Sequence, residues 1–110
     1  MDYDLVVIGS GWAGFNAALR AKARGLKVAL IEKGQIGGTC LNYGCIPTKT
    51  LLQSAKVYTL TKKAKSFGIE TTCPQINFPE IQARKNKIIQ QLRQGMQSML
   101  GGIEFINREA

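Results

Sequence analysis

At 110 residues the chain can enclose one modest core but not two cofactor sites and a substrate pocket, so it encodes either a simple function or part of a larger protein. Hydrophobic residues at 45% with 20% charged exclude a disordered chain, and acids at Asp2 and Asp4, with an apolar run broken at Gly9, exclude a signal peptide or membrane span, leaving the cytoplasm as the expected address. The net charge of +8 falls mainly on residues 48–95, where nine of the 15 Lys and Arg meet only Glu70 and Glu80, yet no nucleic-acid motif or aromatic-basic interleaving accompanies it, so solvated helix faces account for it.

Tyr3-Asp-Leu-Val-Val-Ile8 is a short β-branched run stopped by glycine and reads as a buried strand. From Ala13 to about Arg24 the alanine-rich sequence favours helix, and Gly25 stands where a helix end takes a left-handed residue. Lys27 to Glu32 is a second buried strand, so residues 3–33 form a βαβ unit with parallel strands. Residues 34–47, glycine-rich to Gly44, predict an irregular loop; Pro47 opens a helix running to about Ser66. Cys73 to Pro79 is a turn-rich connector. A helix over about 79–100 carries Ile81, Ile88, Ile89, Leu92, Met96, Met99 and Leu100 on one broad face, and a strand follows at about 103–107.

Gly9-Ser-Gly11-Trp-Ala-Gly14 is a G-x-G-x-x-G after a strand and before a helix, with Glu32 ending the next strand. Gly9 permits the turn, Gly11 admits a pyrophosphate, and Gly14 brings the helix against its strands. The helix N-terminus offers free N–H groups and partial positive charge to the phosphates. Glu32 can accept hydrogen bonds from ribose hydroxyls, with Lys33 beside it. The spacing alone does not separate NAD from FAD.

Cys40 and Cys45 stand close together in GGTCLNYGCIPTK, residues 37–49. Zinc needs roughly four ligands, and a chain with no histidine offers only Cys73 as a third soft one, so no metal is expected. Two thiols packed merely as small hydrophobes would leave the glycines, Pro47 and Lys49 unexplained. Five residues of regular helix rise about 7.5 Å, whereas disulfide Cα atoms lie about 4.4–6.8 Å apart, so a bridging pair requires distortion at Gly44. Cys45 then sits at or before a helix N-terminus, where the dipole and Lys49 should lower its pKa.

The stretch from Gly37 to Lys49, with Gly9 to Gly14 and Glu32, resembles the class I pyridine nucleotide-disulfide oxidoreductases and their GGTCxNxGCxPxK pattern. Within that family, Ala83-Arg-Lys-Asn-Lys87 with Gln91-Leu92 and Gly95 resembles the dihydrolipoamide dehydrogenase branch most. The resemblance implies an α/β, Rossmann-like parallel sheet within a larger flavoenzyme that has two dinucleotide-binding domains. It implies that Gly9, Gly11 and Gly14 hold the FAD pyrophosphate and Glu32 the adenosine ribose, that Lys33 is a further cofactor-binding position, and that Gly38 and Thr39 line the flavin's phosphate and ribitol side. Ala110 matches a position whose backbone meets adenine.

Cys45 would be the flavin-facing thiol of the charge-transfer contact, Cys40 the outer thiol that exchanges with substrate, and Lys49 the group beside the isoalloxazine ring. Trp12 and Tyr43 depart from the commonest pattern, which has proline and valine there. The resemblance places all 110 residues in the first part of a longer chain; the NAD(H) domain and the dimerisation domain with its His-Glu pair would lie beyond Ala110. It implies non-covalent FAD, NAD in the further domain, a homodimer, and the dihydrolipoyl groups of 2-oxoacid dehydrogenase complexes as partners. The 110 residues alone are expected to be inactive. Alternatives are a glutathione-type or mercuric reductase of the same family, or a non-catalytic nucleotide-binding fragment.

Overall fold

The computed structural model describes residues 2–110. In chain order they form β1 (Leu5–Ile8), α1 (Trp12–Ala23), β2 (Val28–Glu32), α2 (Gly38–Asn42), α3 (Cys45–Lys63) with a 3-10 extension at Ala64–Phe67, α4 (Phe78–Met99) and β3 (Glu104–Asn107). The strands make one parallel sheet in the order β1-β2-β3, with Val7 opposite Leu30 and Leu30 opposite Phe105. This is the expected α/β architecture, with a helical crossover in each connection, as parallel pairing requires.

β2 is central, and Val28, Ala29 and Leu30 are buried. Around it Phe15 and Ala18 of α1, Ile36, Leu41, Met96, Leu100 and Ile103 form the core. β1 was also expected to be buried, but it is an edge strand and its Val6 and Ile8 are 48% and 72% exposed. An apolar run does not specify how many neighbours a strand has.

α1 ends as expected: Gly25 adopts φ +83° and its N–H donates to the Lys22 carbonyl. α4 starts at Asn77, whose side chain accepts from Glu80 N–H at 3.3 Å, a cap that the sequence carries as Asn-x-x-Glu. Its broad apolar face is only partly used. Ile89, Met96 and Leu100 are buried, but Leu92 and Met99 are exposed. Much of α3 is also open, including Leu52, Val57 and Leu60, because α3 and α4 pair with each other and extend from the sheet in a molecule of 67 × 25 × 17 Å.

The loop expected over 34–47 contains α2, and α3 starts at Cys45 rather than at Pro47. Leu41, fully buried, and the side-chain amide of Asn42 stabilise this short helix despite its glycines. Pro47 is tolerated within the first turn of α3, where backbone N–H groups have no intrahelical acceptor. Among the described residues, no helix is long and apolar enough to cross a membrane.

Candidate functional site

Both candidate motifs lie at the carboxyl ends of the strands, where open α/β sheets form ligand crevices. The turn after β1 carries Gly9 at φ +92°. A Cβ on Gly14 would overlap the Gly9 carbonyl and approach Val7 Cγ1 to 3.2 Å, so glycine allows α1 to sit directly on β1. Gly11 caps α1 without a side-chain hydrogen bond, and no acid lies in the first turn. The N–H groups of Trp12, Ala13 and Gly14 are therefore free to meet an anion at this end.

Gly38 adopts φ +65°, and a Cβ on it would stand 2.7 Å from Gly11 Cα. The two backbones thus touch, and this contact places the start of α2, with Cys40 in its first turn, beside the start of α1. Thr39 lies next to Gly38 on α2 and is exposed.

Glu32 joins β2 to the glycine turn. Its Oε2 accepts from Ser10 N–H at 2.8 Å and from Ser10 Oγ at 2.7 Å, while Oε1 accepts from Gly34 N–H at 2.8 Å. Burial pushes the carboxyl pKa up, but hydrogen bonds from Ser10, Gly34 and the Lys33 backbone outweigh it and hold the pKa below the usual range. A carboxylate offers about four acceptor positions, and Ser10 and Gly34 between them take three. Ser10, an unspecified position of the G-x-G-x-x-G pattern, is fully buried; its Oγ also faces Gly37 N–H at 3.4 Å.

Gly9, Glu32, Lys33 and Ala110 line one cavity of about 270 Å³ together with Ile8, Ile31, Arg108 and Glu109. Lys33 pairs with Glu109 at 3.5 Å on its exposed rim. The candidate adenosine-side residues therefore converge, although they come from three separate stretches of chain.

Cys40 on α2 and Cys45 at the start of α3 are present as two thiols, Cys40 half-buried and Cys45 exposed. The helices break at Gly44, with φ −119° and ψ −111°. Hydrogen bonding between the two thiols chiefly holds the Cys40 pKa below the usual thiol value. Burial opposes it, while the Trp12 indole, the Cys45 backbone N–H and the Lys49 charge assist. Cys45 is pushed up, chiefly by the same hydrogen bonding, with burial and the charge on Cys40 adding; its own backbone N–H and Lys49 pull the other way.

This corrects the expected lowering at Cys45. A helix N-terminus favours any nearby thiolate, but two interacting thiols titrate as a pair, and across this pair the shift is downward at Cys40 and upward at Cys45. Lys49 lies one helical turn beyond Cys45, exposed, and favours both thiolates. Asn42, Arg93 and Trp12 also frame the pair; of these the sequence carried a signal only for Asn42, a fixed position of the motif.

Pyridine nucleotide-disulphide oxidoreductases as a family match residues 3–110, nearly the whole chain. The chain belongs to this family. A dihydrolipoyl dehydrogenase of Bacillus subtilis (strain 168) is 49% identical over 98 residues, covering 87% of this chain and 21% of its own. One from Acholeplasma laidlawii is 42% identical over 110 residues, 96% of this chain and 32% of its own. A mercuric reductase of Staphylococcus aureus is 40% identical over 93 residues, 84% of this chain and 17% of its own. The chain therefore spans less than a third of the length of these relatives.

Proposed function

We propose that this chain is the FAD-binding, thiol-bearing segment of a dihydrolipoyl dehydrogenase that oxidises dihydrolipoyl groups and reduces NAD+. One observation carries the reading: the Gly11–Gly38 backbone contact brings a glycine turn suited to a diphosphate against the helix that bears Cys40. The residues fit FAD. Side chains at Gly14 and Gly38 are excluded by neighbouring backbone at the glycine turn, the N-terminus of α1 is uncapped, and the 270 Å³ cavity with Glu32, Lys33 and Ala110 suits its adenosine end.

Gly9, Gly11 and Gly14 would hold the pyrophosphate, Glu32 and Lys33 the ribose, Gly38 and Thr39 the flavin's phosphate and ribitol side, and Lys49 the ring side. FAD bound there would supply two-electron acceptance from the dithiol and hydride donation to NAD+.

The protein's own step is thiol-disulfide exchange. One substrate thiolate attacks Cys40 of the oxidised pair, the Cys40–Cys45 bond breaks, and Cys45 leaves as a thiolate stabilised by Lys49 and the α3 N-terminus. The second substrate thiol, deprotonated, attacks the substrate sulfur of the mixed disulfide and releases Cys40. Substrate dithiol and protein disulfide thus become substrate disulfide and protein dithiol, two electrons entering the protein with no net loss of atoms.

The proposal extends to a cytoplasmic homodimer serving 2-oxoacid dehydrogenase complexes. A substrate panel on the whole protein tests it: NAD+-dependent oxidation of dihydrolipoamide is expected. Failure of that reaction alongside reduction of Hg(II) or glutathione disulfide would replace this reading with another branch of the family.

A further inference from the structure

α4 grips both thiol-bearing helices through arginines. Arg84 Nη1 donates to the Thr50 carbonyl of α3 at 3.3 Å, and Arg93 Nε donates to Asn42 Oδ1 of α2 at 2.6 Å. Asn42 is buried, and its Nδ2 donates to the carbonyls of Gln35, Ile36 and Gly38 at 3.3, 3.1 and 2.8 Å. One amide therefore ties the loop before α2 to its own helix while its oxygen meets a cation on α4. A hydrogen bond from a guanidinium is stronger than a neutral one, and the planar donor fixes direction as well as distance.

The consequence falls on the thiols. Cys40 lies two residues before Asn42 on α2, Cys45 begins α3, and only Tyr43 and Gly44 join the two helices. A glycine joint permits pivoting, so the thiol separation depends on what holds α2 in place. Disulfide closure tolerates little error in separation or direction, and its equilibrium follows the effective concentration of one sulfur at the other.

We propose that Arg93 is a positioning residue of the thiol pair: through Asn42 it locks α2 against α4 and so sets how readily Cys40 and Cys45 close into a disulfide. This rests on the redox reading above only in taking closure as the pair's task. Losing the contact frees α2 to swing about Gly44, lowers the effective concentration, and makes the disulfide easier to reduce.

The test uses the whole protein with Arg93→Met, which keeps the packing stem but no donor, and Arg93→Lys, whose ammonium can still donate to Asn42. Each is equilibrated in glutathione redox buffers, and free Cys40 and Cys45 are counted by alkylation and mass spectrometry. Arg93→Met is expected to lower the disulfide-forming equilibrium constant about tenfold, a rise of about 30 mV in potential, and Arg93→Lys to restore it to within about threefold. Arg93→Gln, too short to reach, must match Arg93→Met and replaces it if Arg93→Met does not fold. An equilibrium constant within twofold of the parent in the donor-lacking variants, whatever their melting temperature, overturns the proposal. The readout needs no turnover: a parent inactive on dihydrolipoamide defeats the functional reading and leaves this test intact.

Discussion

Glu32→Gln tests how the glycine turn is held. The carboxylate accepts at both oxygens, from Ser10 N–H and Oγ–H on one and Gly34 N–H on the other. Glutamine has a single acceptor oxygen. If that oxygen serves Ser10, which is fully buried, the new NH2 group faces the Gly34 N–H and that bond is lost, while the Ser10 bonds lose their charge assistance. Hydrogen bonds to charged groups contribute about 1.5–3 kcal/mol and neutral ones about 0.5–1.5, and the site is partly open to water, so a loss of about 2 kcal/mol is expected. Urea unfolding followed by circular dichroism should show the midpoint falling by about 1 M.

The pH dependence carries a sign. The folded-state pKa of Glu32 lies below its unfolded value, so its contribution is present above the unfolded pKa of about 4.3 and is lost as pH falls through the folded pKa. The parent and Glu32→Gln should therefore differ at pH 7 and converge on acidification. A variant as stable as the parent at pH 7, or a gap constant from pH 7 to pH 3, would refute the reasoning.

Gly38→Ala places a Cβ 2.7 Å from Gly11 Cα at φ +65°, so it should separate α1 from α2 and weaken FAD retention by the whole protein at least tenfold, read by flavin fluorescence. Cys45→Ala removes the hydrogen-bonding partner of Cys40, so the pH midpoint of Cys40 alkylation by iodoacetamide should rise; an unchanged midpoint would show that the pair is not coupled. Lys49→Met should shift the alkylation of both thiols to higher pH, since Lys49 lowers both.

The βαβ unit was legible because its signals are local: β-branched runs, a glycine turn, and a helix end at Gly25. Glu32 was legible as an acid at the strand end, but its bonds to Ser10 were not, since they depend on how the turn folds back. α2 was hidden among glycines because its stability comes from a buried Leu41 and from the Asn42 amide, which are tertiary contacts. The exposure of Val6 and Ile8 was hidden for a related reason: sequence reports apolarity, whereas burial depends on which elements stand beside the strand. The raised pKa of Cys45 was not legible because a dipole argument treats Cys45 alone, while neighbouring thiols titrate as a pair. Arg93 carried no signal, being one cation on a helix already rich in them.

The most direct measurement starts from the oxidised whole protein, mixed anaerobically with dihydrolipoamide, quenched with an alkylating agent and mapped by mass spectrometry. The account predicts that Cys40 and Cys45 pass together from a disulfide to two alkylated thiols while Cys73 labels equally before and after. Oxidation of dihydrolipoamide at the parent rate by Cys40→Ser or Cys45→Ser, or reduction that leaves the pair's labelling unchanged, would contradict it.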